Sequence, residues 1–174
     1  MDRQATHDEL ARVRADFRRL VAQLDGEALD RPSVGTRWTN RQLLFHLVFG
    51  YLIVVRLLWM VKLVSLLPPS VSRLLARLLN APRRPFDVLN YLAPCIGARL
   101  LDPTRMVRLM DRGTASLAAR LAREPDERLA QGMHYPTRWE PFFEDYLTVA
   151  QTYEYPTKHY DFHRAQLNLT PQTR

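Results

Sequence analysis

Residues 38–69, WTNRQLLFHLVFGYLIVVRLLWMVKLVSLLPP, decide how this chain folds. Thr39-Asn40-Arg41-Gln42 has the capping-box pattern, in which a Thr side chain and a Gln three residues later satisfy the free backbone N–H groups at a helix start. Pro68 and Pro69 close the run, because proline has no N–H to donate and does not continue a helix. The spacing predicts a helix over about 40–67. It is long and apolar enough to raise a membrane span, but Arg56 and Lys62 interrupt it, and each costs about 2.5–3.5 kcal/mol near a bilayer centre. The reading is therefore a buried helix inside a bundle.

Upstream, Thr6-His7-Asp8-Glu9 repeats the capping-box pattern and opens a first helix to about Leu24, with Leu10, Val13, Phe17, Leu20 and Leu24 at helical spacing. His7 falls in its first turn and is expected in solvent. Residues 25–37 contain Gly, Pro and Ser and read as a loop. Downstream lie a short basic amphipathic piece, SVSRLLARLLN, the breaker APRRP, and an apolar stretch over 86–101 that Pro94 and Gly97 make irregular. Asp102-Pro103 reads as an N-cap with proline at the first helical position, leading a third helix over 103–123 with Met106, Leu109, Met110, Leu117 and Leu121 inward. Residues 124–140 read as a loop. Thr148 to Gln151 is a further capping box and opens the last helix, to about Leu167, where Pro156 predicts a kink or a restart.

These elements make an all-α four-helix bundle, with an extended and partly irregular helical insertion between the second and third helices. The expected organisation is a single domain over 1–167 and a polar tail over 168–174. The chain has 174 residues, 47% of them apolar, which suits one core. Its net charge is +7, almost all of it arginine, with Lys62 and Lys158 as the lysines. The arginines are spread along the chain without a basic stripe or a nucleic-acid motif, so nucleic-acid binding is not expected. The single cysteine, Cys95, cannot form an internal disulfide and reads as a small core residue. With no signal-like segment at the start, the expected location is the cytoplasm.

The chemistry-bearing signal is KHYDFHRAQL, residues 158–167. On a helix, His159 and His163 share one face, with Thr152, Tyr155, Gln166 and Leu167 on or near it, while Lys158, Asp161 and Arg164 point elsewhere. Imidazoles one turn apart can converge on a metal, but such a pair alone also fits two packed or solvated histidines. His46 is the candidate third ligand, because it lies on the least charged stripe of the second helix with Leu43, Gly50, Ile53, Leu57 and Val64. His134, in a loop, is read as a residue in water, with a role as extra ligand or substrate contact as the alternative.

The segment from Trp38 to His46 resembles the Trp-[Ser/Thr]…His motif that opens the second helix in the DinB-like (YfiT-like) metal-dependent superfamily. His159-x-x-x-His163-x-x-Gln166-Leu167 is similar to that family's closing motif. The resemblance implies a four-helix bundle with a divalent metal on His46, His159 and His163. The chain departs from the family at Phe162, where a histidine is frequent, at Ala165, where glycine is frequent, and at Pro156.

Three neutral histidines leave a divalent ion an open position for water, a thiol or substrate. The resemblance implies a transferase using a low-molecular-weight thiol such as mycothiol or bacillithiol, or a hydrolase. Zinc is the expected ion, with nickel or manganese as alternatives, and the arginine content suits an anionic or electrophilic small molecule. Tyr155 and Gln166 are candidates for orienting substrate or ligands; Glu144 and Asp145, just before the last helix, are read as solvated. The competing readings are a non-catalytic metal-binding or sensor protein, and a self-associating homodimer or membrane-surface protein built on residues 52–79.

Overall fold

The computed structural model describes residues 1–81 and 83–169, without the side chains of residues 83 and 84. In chain order the elements are α1 (Arg3–Gln23), α2 (Gly26–Asp30), α3 (Asn40–Val64), α4 (Pro69–Asn80), α5 (Arg83–Leu100), α6 (Pro103–Leu121), α7 (Asp126–Ala130), β1 (Gly132–His134), β2 (Tyr146–Thr148) and α8 (Val149–Arg164). The bundle consists of α1, α3, α6 and α8, each packed on two neighbours in the ring order α1, α6, α3, α8. These are the four helices expected from the sequence. The insertion is α4 and α5; α5 lies along α3, and α4 packs on β1.

The core follows from the helical spacing of apolar residues. Leu43, Leu47, Tyr51, Val54, Leu58 and Val61 of α3 face Leu10, Val13, Phe17 and Leu20 of α1 and Met106, Met110, Leu117 and Leu121 of α6 in one buried cluster. Both halves of the predicted capping boxes form, at Thr39 with Gln42 and at Thr148 with Gln151. The helix α3 is the one element long and apolar enough to cross a membrane among the described residues. Here it is the central helix, packed by α5, α6 and α8.

Buried polar groups fix how the helices meet. Asn40 donates from Nδ2 to the carbonyls of Ala28 and Asn168, both at 2.8 Å, and accepts from the Asn168 N–H at 2.9 Å. This ties α2 and the segment after α8 to the start of α3. Asp16 on α1 accepts from Tyr160 at 2.8 Å and from Nε and Nη2 of Arg164, and so holds α8. Burial pushes the Asp16 carboxyl up, but the hydrogen bonds from Arg164, Tyr160 and Arg19 outweigh it, and its pKa lies below the ordinary value. Lys62 pairs with the buried Glu124, which also accepts from Tyr153 at 3.0 Å.

Several expectations are corrected. Helix α1 starts at Arg3, because Asp2 caps it one turn before Thr6 by accepting from the Ala5 N–H at 3.1 Å. The Thr6 hydroxyl donates back to the Asp2 carbonyl instead, and His7 is half-buried rather than in solvent. The α3 helix ends at Val64, where the N–H groups of Leu66 and Leu67 donate to the Leu63 and Val64 carbonyls in tight turns before the prolines. Asp25 caps the short helix α2 inside the expected loop.

The stretch over 86–101 is regular helix through Pro94 and Gly97. A Cβ at Gly97 would lie 2.2 Å from the Phe45 ring, so the glycine there permits close approach to α3 rather than marking a break. Residues 124–148 hold α7 and the antiparallel pair β1–β2, with Gly132 opposite Thr148 and His134 opposite Tyr146. The α8 helix runs through Pro156 with no restart. Residues 170–174 of the expected tail and Pro82 of the expected breaker lie outside the described residues.

Candidate metal centre

His46 projects from the first half of α3, and His159 and His163 project from the last two turns of α8, the helix packed beside it. The Nε2 atom of His46 lies 3.1 Å from that of His159 and 3.3 Å from that of His163. One ligand nitrogen from each ring lies within 4.8 Å of the others. An ion with metal–nitrogen bonds of about 2.0–2.1 Å and tetrahedral angles sets its ligand nitrogens about 3.3–3.4 Å apart, close to the two spacings that His46 makes with His159 and His163.

Each ring is held by a different device. The Nδ1–H of His163 donates to Gln166 Oε1 at 2.7 Å, which leaves the Nε2 lone pair facing the cluster. The His46 ring packs under Trp38, with centroids 4.6 Å apart, and its Nδ1 has no hydrogen-bond partner among the described residues. The His159 ring fits over Gly50, where a Cβ would lie 2.9 Å from its Nδ1. Gly50 follows His46 by one turn, so any larger residue there would press on the ring.

Electrostatics agree with a lone-pair cluster. Burial, then the neighbouring His163, depresses the His46 pKa to about 3. Burial and the two other imidazoles hold His159 well below the usual value. Burial also lowers His163, against the opposing effect of Gln166. All three rings are therefore neutral at pH 7, the state in which imidazole binds a metal.

A carboxylate completes the surroundings. Glu140 Oε2 lies 3.9 Å from His159 Nε2, while its Oε1 is buried without a hydrogen-bond partner. Burial raises the Glu140 pKa to about 7, partly offset by the hydrogen bond from Tyr155. Burial, and then the Glu140 charge and hydrogen bond, raise the Tyr155 phenol in turn. Beside the cluster opens a cavity of about 610 Å³, walled by α3, α5 and the segment carrying β1 and β2.

The residues singled out in the sequence divide as follows. His46, His159 and His163 come together, Gln166 contacts His163, and Tyr155 and Thr152 line the cavity. Lys158 is exposed, Asp161 pairs with Arg12 at 2.8 Å and Arg164 with Asp16, all away from the cluster. His134 is buried rather than in water; its Nδ1 meets Asp145 Oδ2 at 3.1 Å, and it takes no part in the cluster. Glu144 and Asp145 are exposed and do not line the cavity.

Glu140 and the structural roles of Trp38 and Gly50 were not read from the sequence. The available signal for Glu140 was its setting between Trp139, Phe142 and Phe143, since three aromatics in an apparent loop imply that it packs inward.

Comparison with known proteins agrees with this fold. The sequence profile of the DinB superfamily matches residues 9–167. Among solved structures, YfiT from Bacillus subtilis, described as a probable metal-dependent hydrolase with an unusual four-helix bundle topology, superposes with a TM-score of 0.63 at 18% identity. The match covers 95% of this chain and 83% of that one. No curated protein matches the chain.

Proposed function

The chain belongs to the DinB superfamily, and from that premise we propose that it is a metal-dependent hydrolase whose divalent ion is held by His46, His159 and His163. The observation that carries the reading is the convergence of three neutral imidazole nitrogens at ion-sized spacing. An all-nitrogen donor set favours zinc, with nickel the next match. The description of YfiT as a probable metal-dependent hydrolase supports the same chemistry.

A divalent ion in this position supplies Lewis acidity and lowers the pKa of water towards about 7, or that of a thiol further. The protein's own residues do the rest. Gln166 fixes the His163 ring and its tautomer, and Trp38 fixes the plane of His46. Glu140, with one oxygen toward His159 and one free, accepts the proton from the attacking nucleophile and returns it to the leaving group. Tyr155 orients that carboxylate through their hydrogen bond.

A thiol transferase uses the same cluster with a mycothiol-type thiol in place of water. Rates with and without added thiol, measured on metal-loaded protein with ester and electrophile substrates, distinguish the two. Elemental analysis of untagged protein beside His46→Ala and His163→Ala tests the foundation: metal retained undiminished in both variants would overturn the reading. Glu140→Gln is expected to keep the metal and lose at least about 100-fold in turnover. A protein that holds metal but turns over neither kind of substrate is the non-catalytic alternative.

A further inference from the structure

The cavity beside the histidines is lined almost wholly by carbon. Phe45, Phe49, Leu57, Phe86, Trp139 and Phe143 form its walls. The polar ends of its aromatic residues are already paired. Tyr135 bonds Thr152 Oγ1 at 2.7 Å, Trp139 Nε1 donates to the Leu79 carbonyl at 2.9 Å, and Tyr155 bonds Glu140. A ligand in this space therefore meets few free hydrogen-bonding groups away from the histidine end. A sugar, a peptide or a free amino acid would lose its hydration there without replacement.

The mouth is apolar too. Ile53, Leu57 and Leu89 line the cavity and are 38%, 40% and 61% exposed. Phe45, Phe49 and Leu89 also line a second apolar groove, of about 650 Å³, between α3 and α5, so the two apolar spaces adjoin. Arg56, which also lines it, is about 15 Å along α3 from His46 at 1.5 Å rise per residue, and Met60 and Val61 continue the lining beyond it. The space is thus long and mostly apolar, with the histidines and Glu140 at one end and Arg56 and Asn90 as the other charged or amide side chains in its lining.

We propose that this site takes amphiphilic acyl esters: molecules with one polar acyl head at the histidine cluster and a medium-length alkyl or ring body filling the cavity toward Ile53 and Leu57. This rests on the hydrolase reading for the reaction, though not for the binding. In the reaction water adds across the acyl C–O bond. The C–O bond breaks, the acyl carbon gains the hydroxyl, and the leaving alkoxide takes the remaining proton to depart as the alcohol.

Two measurements test it. First, metal-free protein is titrated with a fluorescent medium-chain fatty acid, beside Ile53→Trp, which fills the cavity, and Leu78→Gln on the outer face of α4, which does not line it. Wild type and Leu78→Gln are expected to bind alike, and Ile53→Trp at least tenfold more weakly, with helix content unchanged and the same zinc uptake when the metal is restored. Second, metal-loaded protein is assayed with 4-nitrophenyl esters of increasing chain length, where kcat/KM is expected to rise by up to about fourfold per added methylene until the cavity is full. No binding by wild type, or equal binding by Ile53→Trp, overturns the inference, as does an equal loss in Leu78→Gln. Ile53-dependent binding in a protein that takes up no zinc when the metal is supplied upholds the cavity and refutes only the hydrolase reading.

Discussion

Along α3, the stretch from Asn40 to Gly50 and the stretch from Tyr51 to Val64 are both strongly apolar in sequence, yet the fold treats them differently. In the first, Asn40 and every residue from Leu43 to Val48 are buried, enclosed by neighbouring elements on all sides. In the second, burial is confined to Tyr51, Val54, Leu58, Val61 and Val64, while Ile53, Leu57, Trp59 and Leu63 stay exposed. The enclosed half carries His46 and the polar ties that hold its surroundings. The open half lines the cavity and its mouth. A ligand-bearing residue needs a fixed backbone and a filled neighbourhood, whereas an apolar passage needs side chains with room beside them.

The enclosed half should be the sensitive one. The largest effect is expected from His46→Ala, which removes one of three donors and should weaken zinc binding by more than about 100-fold, since even losing a residue that merely orients a ligand costs about 10–100-fold. Calorimetric titration with zinc measures it, and wild type should show a zinc-dependent rise in Tm that the variant lacks. Asn40→Ala comes next. It deletes three hydrogen bonds and leaves the Ala28 and Asn168 carbonyls without that donor. A loss of about 2 kcal/mol in urea unfolding is expected; a loss under half of that would mean that this end of α3 is less enclosed than its burial indicates.

Gly50→Ala probes the boundary between the halves. Alanine favours the helix by up to about 1 kcal/mol, so the metal-free protein should hold or gain stability. The added Cβ would sit 2.9 Å from His159 Nδ1, however, and should push the ring out of register, weakening zinc binding about tenfold. Gly113→Ala on α6 is the control, because a Cβ there meets Tyr51 at an ordinary 3.4 Å. Equal zinc affinity in Gly50→Ala and wild type would show that His159 is not seated by the glycine.

How much of this could be read beforehand depended on whether the information was local. The capping boxes at Thr39 and Thr148 act within one helical turn, and both form as the sequence implies. The shared face of His159 and His163 is likewise a property of one helix, and the inward stripe of His46 follows from charge placement along another. Glu140 is different: it reaches the cluster from a segment without regular periodicity, and only tertiary packing brings it there. Gly97 and Pro94 misled for a related reason. Both are helix-weakening residues, and the need for close contact between α5 and Phe45 overrides that preference once α3 is in place. The unequal burial of the two halves of α3 was equally invisible, since apolarity specifies a wish for burial and says nothing of which neighbours arrive.

The smallest expected effect tests the open half. Trp59 is 64% exposed and Leu63 53%, and neither lines the cavity. Substituting both by glutamine keeps helix propensity nearly constant and removes little buried area, so stability should change by no more than about 0.5 kcal/mol per site. Zinc affinity should not change, because no contact links these residues to the histidines, which lie at the other end of α3. Urea unfolding at two protein concentrations is the decisive measurement. If nothing covers the open half, the midpoint of each protein is the same at both concentrations. A wild-type midpoint that rises with concentration, and a variant midpoint that does not, would show instead that these side chains are covered by a second copy of the chain, and the contrast between the two halves of α3 would then belong to the monomer alone.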